Sequence, residues 1–499
     1  MAFKFSRPGA AASERGGRCL LISCPITFAL TILVQSACGL SNNHYLLVEQ
    51  SLLAHDPKRA DTIIEKAESE YGSKSRLLYD LDRGMTLHLA GEHVRSNGML
   101  EHADQEVERL YTRTVRTEAA TFLTNDNVLP YEGEPYEHVM INVIKALNYV
   151  GLGQLSEALV EARQIDHRLN VLSDKVSDKN SYREDPFARY LTGILYEASG
   201  DLNNAFIAYR KAYDAYQASR GWLRVPSPPM LGADLLRTSE ALHLTTEFDE
   251  YRRVFPDTTW VSRETDRQLA QVVVISYNGR APRKEDQYLD LPISLSALQL
   301  VLLNKGVIHY SHRQPNRAAD SILYGLNGRV VRVALPRLIA QKTLVTRERV
   351  TLTARTGATF MATSQLVHNT TALAEKALSE RLPSITTKAL ARAAVKFAAA
   401  EAATRGAQQA VNKDDAAWVG LVVGLLTKGL AIASEEADKR SWRTLPDEIQ
   451  IARAWVPAGE YDTHIRTVGH HAESVLPGTR APLVLREGET KFLIERVML

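Results

Sequence analysis

The strongest constraint on the fold is a change of period near Pro256. From Asn43 to about Pro256, apolar residues recur at three- and four-residue steps and breakers lie far apart, the pattern of packed helices. Beyond Pro256 the runs turn β-branched and alternating. Gln271–Tyr277 leads into the Asn278-Gly279 turn signal, and Arg329–Leu335 and Val345–Ala354 follow. Charged, Pro-containing Arg280–Asp286 reads as a loop or an edge. Ser364–Leu382 and Thr386–Thr404 are Ala-rich helical stretches separated by Pro383, and Asp414 and Asp415 suit the N-terminus of a third helix. Strands resume at Ile449–Val456, turn at Pro457-Ala458-Gly459 and continue at Tyr461–Thr467. Leu483–Leu485 and Phe492–Val497 read as a closing hairpin through Glu487-Gly488. The expected fold class is α+β. A helical domain over 38–260 precedes an antiparallel β domain over 261–499, with a helical insertion at about 364–440.

Within the helical half one spacing recurs. In Phe187–Tyr213, Gly193 and Tyr196 precede a Gly200-Asp201 turn, and Ala205, Tyr209 and Ala212 follow it. Ala146, Tyr149, Ala158, Ala162 and Ile165 repeat the spacing around Gly151 and Gly153. Gly84, Leu87, Ser96, Leu100 and Ala103 repeat it around Gly91, and a weaker unit runs from Gly232 to Pro256. Small residues fall where two helices would cross: Gly84, Ala146, Ala158, Gly193 and Ala205. The spacing resembles the tetratricopeptide repeat. No unit carries the full consensus, and the insertions Thr121–Tyr136 and Asp174–Asp185 break the family's period of about 34 residues. The resemblance implies an irregular solenoid of helical hairpins with a concave face for a protein partner. The plainer alternative is a bundle that supports the second half. Pro130 and Pro135 make Phe122–His138 a connector or a ligand-contacting loop.

The N-terminus bears on location. Lys4, Arg7, Arg15 and Arg18 precede an apolar run, Ile26–Val34, and small residues then lead to Cys38. This order is that of a secretory signal over 1–37. Ser36, Ala37, Cys38 and Gly39 resemble the lipobox of bacterial lipoproteins, although Gln35 stands where that family usually has Leu. The resemblance implies lipid attachment at Cys38. A signal anchor needs about twenty apolar residues, and Pro25 interrupts the Cys19–Leu40 stretch. The other two cysteines, Cys19 and Cys24, fall inside the signal. A mature chain would then have no free thiol for catalysis, disulfides or Cys-based zinc sites. Lys and Arg total 60 against 58 Asp and Glu, which gives no case for nucleic acid as a partner.

Val273–Ile275 with Asn278-Gly279, Val333–Pro336, and above all Glu436–Pro446 followed by Pro457-Ala458-Gly459 resemble a poorly characterised family of bacterial lipoproteins with a repeat-containing N-terminal half. The resemblance implies an outer-membrane lipoprotein facing the periplasm, and it carries over no catalytic residue. Glu436, Asp438, Arg440 and Trp442 form a candidate network. Either it binds a partner or glycan with Trp442 as the stacking face, or it locks a helix end to the sheet.

Ala416–Ser434 is apolar nearly all round, with Gly420, Gly424 and Gly429 near one face. Its readings are a buried hairpin partner, a homo-oligomer interface or a membrane contact. His309, His312, His470 and His471 lack metal-ligand spacing, and neither a catalytic motif nor a cofactor-binding motif is found. The expectation is therefore a lipid-anchored periplasmic scaffold without metal or cofactor, binding an envelope protein. An enzyme acting on peptidoglycan or another glycan, and an oligomerising subunit of an outer-membrane complex, are the alternatives.

Overall fold

Helices come first in the chain and are paired by one recurring turn. A computed structural model describes residues 43–121, 127, 129–175, 182–262, 265, 268–292, 330–406, 436–469 and 480–498. All belong to one unit, Ser41–Leu499; the other unit, Met1–Leu40, lies outside the described residues, as do the presumed signal and Cys38. Among the described residues are twelve α-helices: α1 (Asn43–Leu53), α2 (Pro57–Lys66), α3 (Glu68–Tyr71), α4 (Arg76–Leu89), α5 (His93–Thr121), α6 (Pro135–Gly151), α7 (Leu155–Lys175), α8 (Pro186–Ala198), α9 (Leu202–Leu223), α10 (Pro229–Ala241), α11 (Thr245–Val254) and α12 (Thr370–Gly406).

Five pairs, α1/α2, α4/α5, α6/α7, α8/α9 and α10/α11, are joined by the same left-handed turn. In the α8/α9 turn, Gly200 N–H donates to the Glu197 carbonyl (2.9 Å) and Asp201 N–H to the Tyr196 carbonyl (3.0 Å), satisfying carbonyls that the helix end leaves free. Gly91, Gly153 and Gly200 take the positive φ of this turn at no steric cost. His55 and His243 take it without that freedom. The next helix starts at once. Asp56 and Asp201 each accept an N–H from its first turn.

Gly84 and Gly193, two of the small residues singled out above, lie at contacts between paired helices. A methyl on Gly84 would overlap Leu100, one on Gly193 the Tyr209 ring, and one on Gly232 the Phe255 ring. Ala146, Ala158 and Ala205 are fully buried.

The second half contains ten strands in three sheets, again among the described residues. The strands are β1 (Leu269–Asn278), β2 (Arg283–Pro292), β3 (Val330–Ile339), β4 (Val345–Ala354), β5 (Thr359–Thr363), β6 (Gln365–Asn369), β7 (Glu448–Pro457), β8 (Gly459–Gly469), β9 (Arg480–Leu485) and β10 (Thr490–Val497). One sheet has the order β10-β1-β7-β6, a second β5-β4-β8-β9, and β2 pairs with β3 as a separate ribbon. The two larger sheets face each other. Val272 and Val274 of β1, Ala452 and Val456 of β7, Leu352 of β4, Ile465 of β8 and Leu485 of β9 share one buried apolar layer. The opposite face of the first sheet carries the helices, so the unit has three layers: helical hairpins, a sheet and a second sheet. The chain is thus a mixed helix-and-sheet protein with mostly antiparallel pairing, in keeping with α+β.

Several local expectations are corrected. The last strand does not fold back on β9. It runs parallel to β1, with Gln271 opposite Thr490 and Asn278 opposite Val497, while β9 pairs with β8 in the other sheet. Leu483, Leu485 and Leu493 all contribute to the layer between the sheets, so the chain crosses that layer at the Glu487-Gly488 turn. The loop-or-edge reading of Arg280–Asp286 holds: Arg283–Pro292 is an edge strand of the two-stranded ribbon, whose exposed side tolerates its charges. Helical structure begins at Thr370, not Ser364, because Asn369 caps the helix by accepting the Ala372 N–H (3.0 Å) and Gln365–Asn369 pairs with β7. Pro383 does not divide the helix; α12 runs through it. Leu382, Ile385 and Ala389 around the proline pack on Val333 and Leu335 of β3, a contact that offsets its cost of about 3 kcal/mol. Ala416–Ser434, His309, His312, His470 and His471 lie outside the described residues. No helix among the described residues is long and apolar enough to cross a membrane.

Candidate functional site

The sheet-facing side of the helices is built from polar groups that find partners on the strands. Side chains alternate along β7, so Ala452 and Ala454 enter the layer between the sheets while Arg453 and Trp455 point to the helices. Arg453 Nη2 donates to Glu197 Oε2 of α8 (2.8 Å), and Nη1 donates to Asp234 Oδ2 of α10. Arg237, one turn after Asp234, donates from Nε to Glu197 Oε1 (2.8 Å) and from Nη2 to Asp234 Oδ1 (2.6 Å). The Tyr209 and Tyr190 hydroxyls donate to Glu197 Oε2 and Asp234 Oδ2, each at 2.7 Å. Trp455 lies with both guanidinium carbons 5.0 Å from its ring centre.

Two positive and two negative groups therefore cancel in a buried cluster. Burial alone would raise the Glu197 carboxyl, but the Arg237 and Arg453 guanidiniums and the Tyr209 hydroxyl hold it low, at about 2. All four carboxylate oxygens accept hydrogen bonds, which suits a lock better than acid–base chemistry. Buried pairs of this kind add little net stability, yet losing one partner is expensive, so the cluster specifies how helices and sheet meet. Further links continue along the same face. Tyr216 donates to the Val367 carbonyl of β6 (2.7 Å), and His88 Nε2 lies 3.2 Å from the Tyr277 hydroxyl of β1. Burial lowers the His88 imidazole to about 4.

The predicted network at 436–446 is a strap lying against α4 and α6. Arg440 holds Asp438 with two guanidinium nitrogens, each at 2.8 Å, and donates from Nη1 to the carbonyls of Lys74 (3.1 Å) and Leu129 (3.0 Å). Lys439 pairs with Asp286 of β2 (2.7 Å), and the Glu436 carbonyl accepts from Asn127 (3.1 Å). The Trp442 N–H donates to Glu137 of α6 (2.9 Å), and its indole donates to Thr444 (2.9 Å). Thr444 in turn donates to Asp82 of α4 (2.9 Å), a buried carboxylate that also accepts from Tyr45 (2.7 Å) and Tyr71 (2.9 Å). Trp442 is only 1% exposed, so its ring has no face left for a glycan or partner, and of the two readings of this network the burial favours the structural lock.

Sequence reasoning missed a third polar group, at one end of the layer between the sheets. Ser276 of β1 donates to Glu348 of β4; the Ser364 hydroxyl contacts the Glu348 N–H (2.6 Å) and donates to Gln450 (2.6 Å). Burial, reinforced by the neighbouring Glu495 charge, pushes the Glu348 carboxyl up to about 7 against the pull of the Ser276 hydroxyl. The signal available was the alternation of β4 itself, which puts Glu348 on the same face as the buried Val350 and Leu352. No group of three or more His, Cys, Asp or Glu side chains able to hold a metal is present among the described residues.

Comparison of the chain with protein-family models finds no match, and comparison with curated proteins finds no significant relative.

Proposed function

We propose that this chain is a lipid-anchored scaffold of the bacterial envelope, attached at Cys38 to the outer membrane and facing the periplasm. It holds an envelope protein through the outer surface of irregular tetratricopeptide-like hairpins; the location is what the resemblance of its 436–446 segment to a poorly characterised lipoprotein family implies. In this reading α12 belongs to a helical insertion between the paired strands β6 and β7. The observation that carries the proposal is the use of the hairpins' inner side: Glu197, Asp234 and His88 are spent on the chain's own sheet. A partner is then left the outer side, where Val94 of α5 (70% exposed), Tyr111 of α5 and Val160 of α7 present apolar groups. The glycan-acting alternative has one favourable feature, the raised Glu348 carboxyl, but that group is fully buried between two sheets and cannot reach a polymer.

The test is photo-crosslinking in intact cells from Val94, Tyr111 and Val160, with Met361 of β5 and Val484 of β9 as comparison sites. A discrete envelope protein joined from the helical positions alone is expected. Equal yields from the strand positions, or no adduct, refute the scaffold. Retained lipid labelling of Cys38→Ser refutes the anchor.

A further inference from the structure

We infer that α1 lies in the surface of the membrane that anchors the chain, with its exposed leucine stripe among the lipid headgroups. The inference rests on the lipoprotein reading above. α1 is apolar on two sides. Tyr45, Val48 and Leu52 are buried against the rest of the unit, while Leu46 (57%), Leu47 (49%) and Leu53 (49%) face outward. Leu46, Leu47, Gln50, Leu53 and Ala54 fall at i, i+1, i+4, i+7 and i+8, one continuous face. That face carries no charge. The helix's single acid, Glu49, is turned aside onto Arg280 (3.0 Å) and Arg443 (3.1 Å), and His44 is buried beside Glu70 (3.1 Å). Single exposed leucines are ordinary, but three in one uncharged stripe of an eleven-residue helix need a cover.

Chain length decides which cover. Five residue steps separate Cys38 from Asn43 and span at most roughly 18 Å when fully extended. A lipid on Cys38 therefore keeps the start of α1 close to the bilayer whatever the rest of the molecule does. An apolar helical face held there settles about 5–10 Å into the boundary between headgroups and acyl chains. The other strongly exposed apolar side chains, such as Met361 and Val484, are far along the chain and have no such tether.

The experiment uses the lipidated protein in vesicles of phosphatidylethanolamine and phosphatidylglycerol. Once Cys38 is acylated, no other thiol remains outside the signal, so Leu47→Cys, Leu53→Cys and Met361→Cys can each be labelled singly with a polarity-sensitive fluorophore. Expected are blue-shifted emission at positions 47 and 53 and quenching by doxyl lipids at least about threefold stronger than at 361, from the shallow depth of such helices. Labels at 47 and 53 that read as water while the protein floats with the vesicles overturn the docking and leave the anchor standing. Emission that shifts with protein concentration, without doxyl quenching, also overturns it and makes the stripe a contact between copies. Protein that fails to float overturns the anchor, and the docking with it.

Discussion

Glu348 makes the stability of this fold depend on pH in a direction opposite to that of most carboxylates. Its side chain is fully buried, accepts from Ser276 and has Glu495 near it, and burial is the main reason its carboxyl moves from 4.5 to about 7. Below pH 4.5 the group is protonated in both folded and unfolded chains and makes no difference. Between 4.5 and 7 the unfolded chain releases the proton while the folded one keeps it, so stability falls as pH rises. Above 7 both are ionised and the whole penalty remains. An interval of about two and a half pH units, at about 1.4 kcal/mol each, amounts to roughly 3 kcal/mol. Glu348→Gln keeps the shape and an oxygen for Ser276 but removes the charge. The variant should match the wild type near pH 4.5 and exceed it by roughly 3 kcal/mol at pH 8. Urea unfolding followed by tryptophan fluorescence, from pH 4.5 to 8.5, measures the difference directly. Two curves that stay parallel across that range refute the assignment of a buried, proton-holding carboxyl.

Arg453→Met removes one of the two cations facing Glu197 and Asp234 and should cost about 3–5 kcal/mol. Adding Asp234→Asn restores neutrality and should recover a good part of that loss in a double-mutant cycle; strictly additive losses would count against the charge argument. Gly193→Ala drives a methyl into the Tyr209 ring, which its bond to Glu197 holds in place, and should lower stability by about 1–3 kcal/mol. Gly221→Ala in α9 meets open space and should raise stability by about 0.4–1 kcal/mol, so equal melting temperatures for the two variants contradict the helix contact.

Much of the local structure was legible because it follows from short-range rules. The Gly91, Gly153 and Gly200 turns announce themselves, since glycine takes a positive φ freely. The first hairpin, α1/α2, escaped notice because His55 occupies that place, and the α10/α11 unit looked weak because His243 does. Strand presence was readable from alternation, whereas strand partnership was not. Nothing near Phe492 says that it lies beside Val273, more than two hundred residues earlier, and in parallel. The helix through Pro383 and the strand at Gln365–Asn369 were decided by β3 and β7, contacts that no local window contains. The 436–446 segment stood out by composition, but the burial of Trp442 depends on α4 and α6 lying beneath it. Arg453 looked like any charged residue on a strand until its partners on α8 and α10 came into place.

The order β10-β1-β7-β6 has a consequence for how such a chain comes into being. β1 is made early, yet both of its neighbours are made late, at Glu448 and Thr490. Until then its two edges are open, and the helices already synthesised carry Glu197, Asp234 and Arg237, one negative charge in excess, on a side meant to be covered. Long-range closure of this kind is slow. A chain made from its amino end must wait for β7 before this sheet can begin to close, and until then an open β1 edge is available for pairing with another chain. A break anywhere before Glu448 would leave β1 without either neighbour and Glu197 and Asp234 without Arg453.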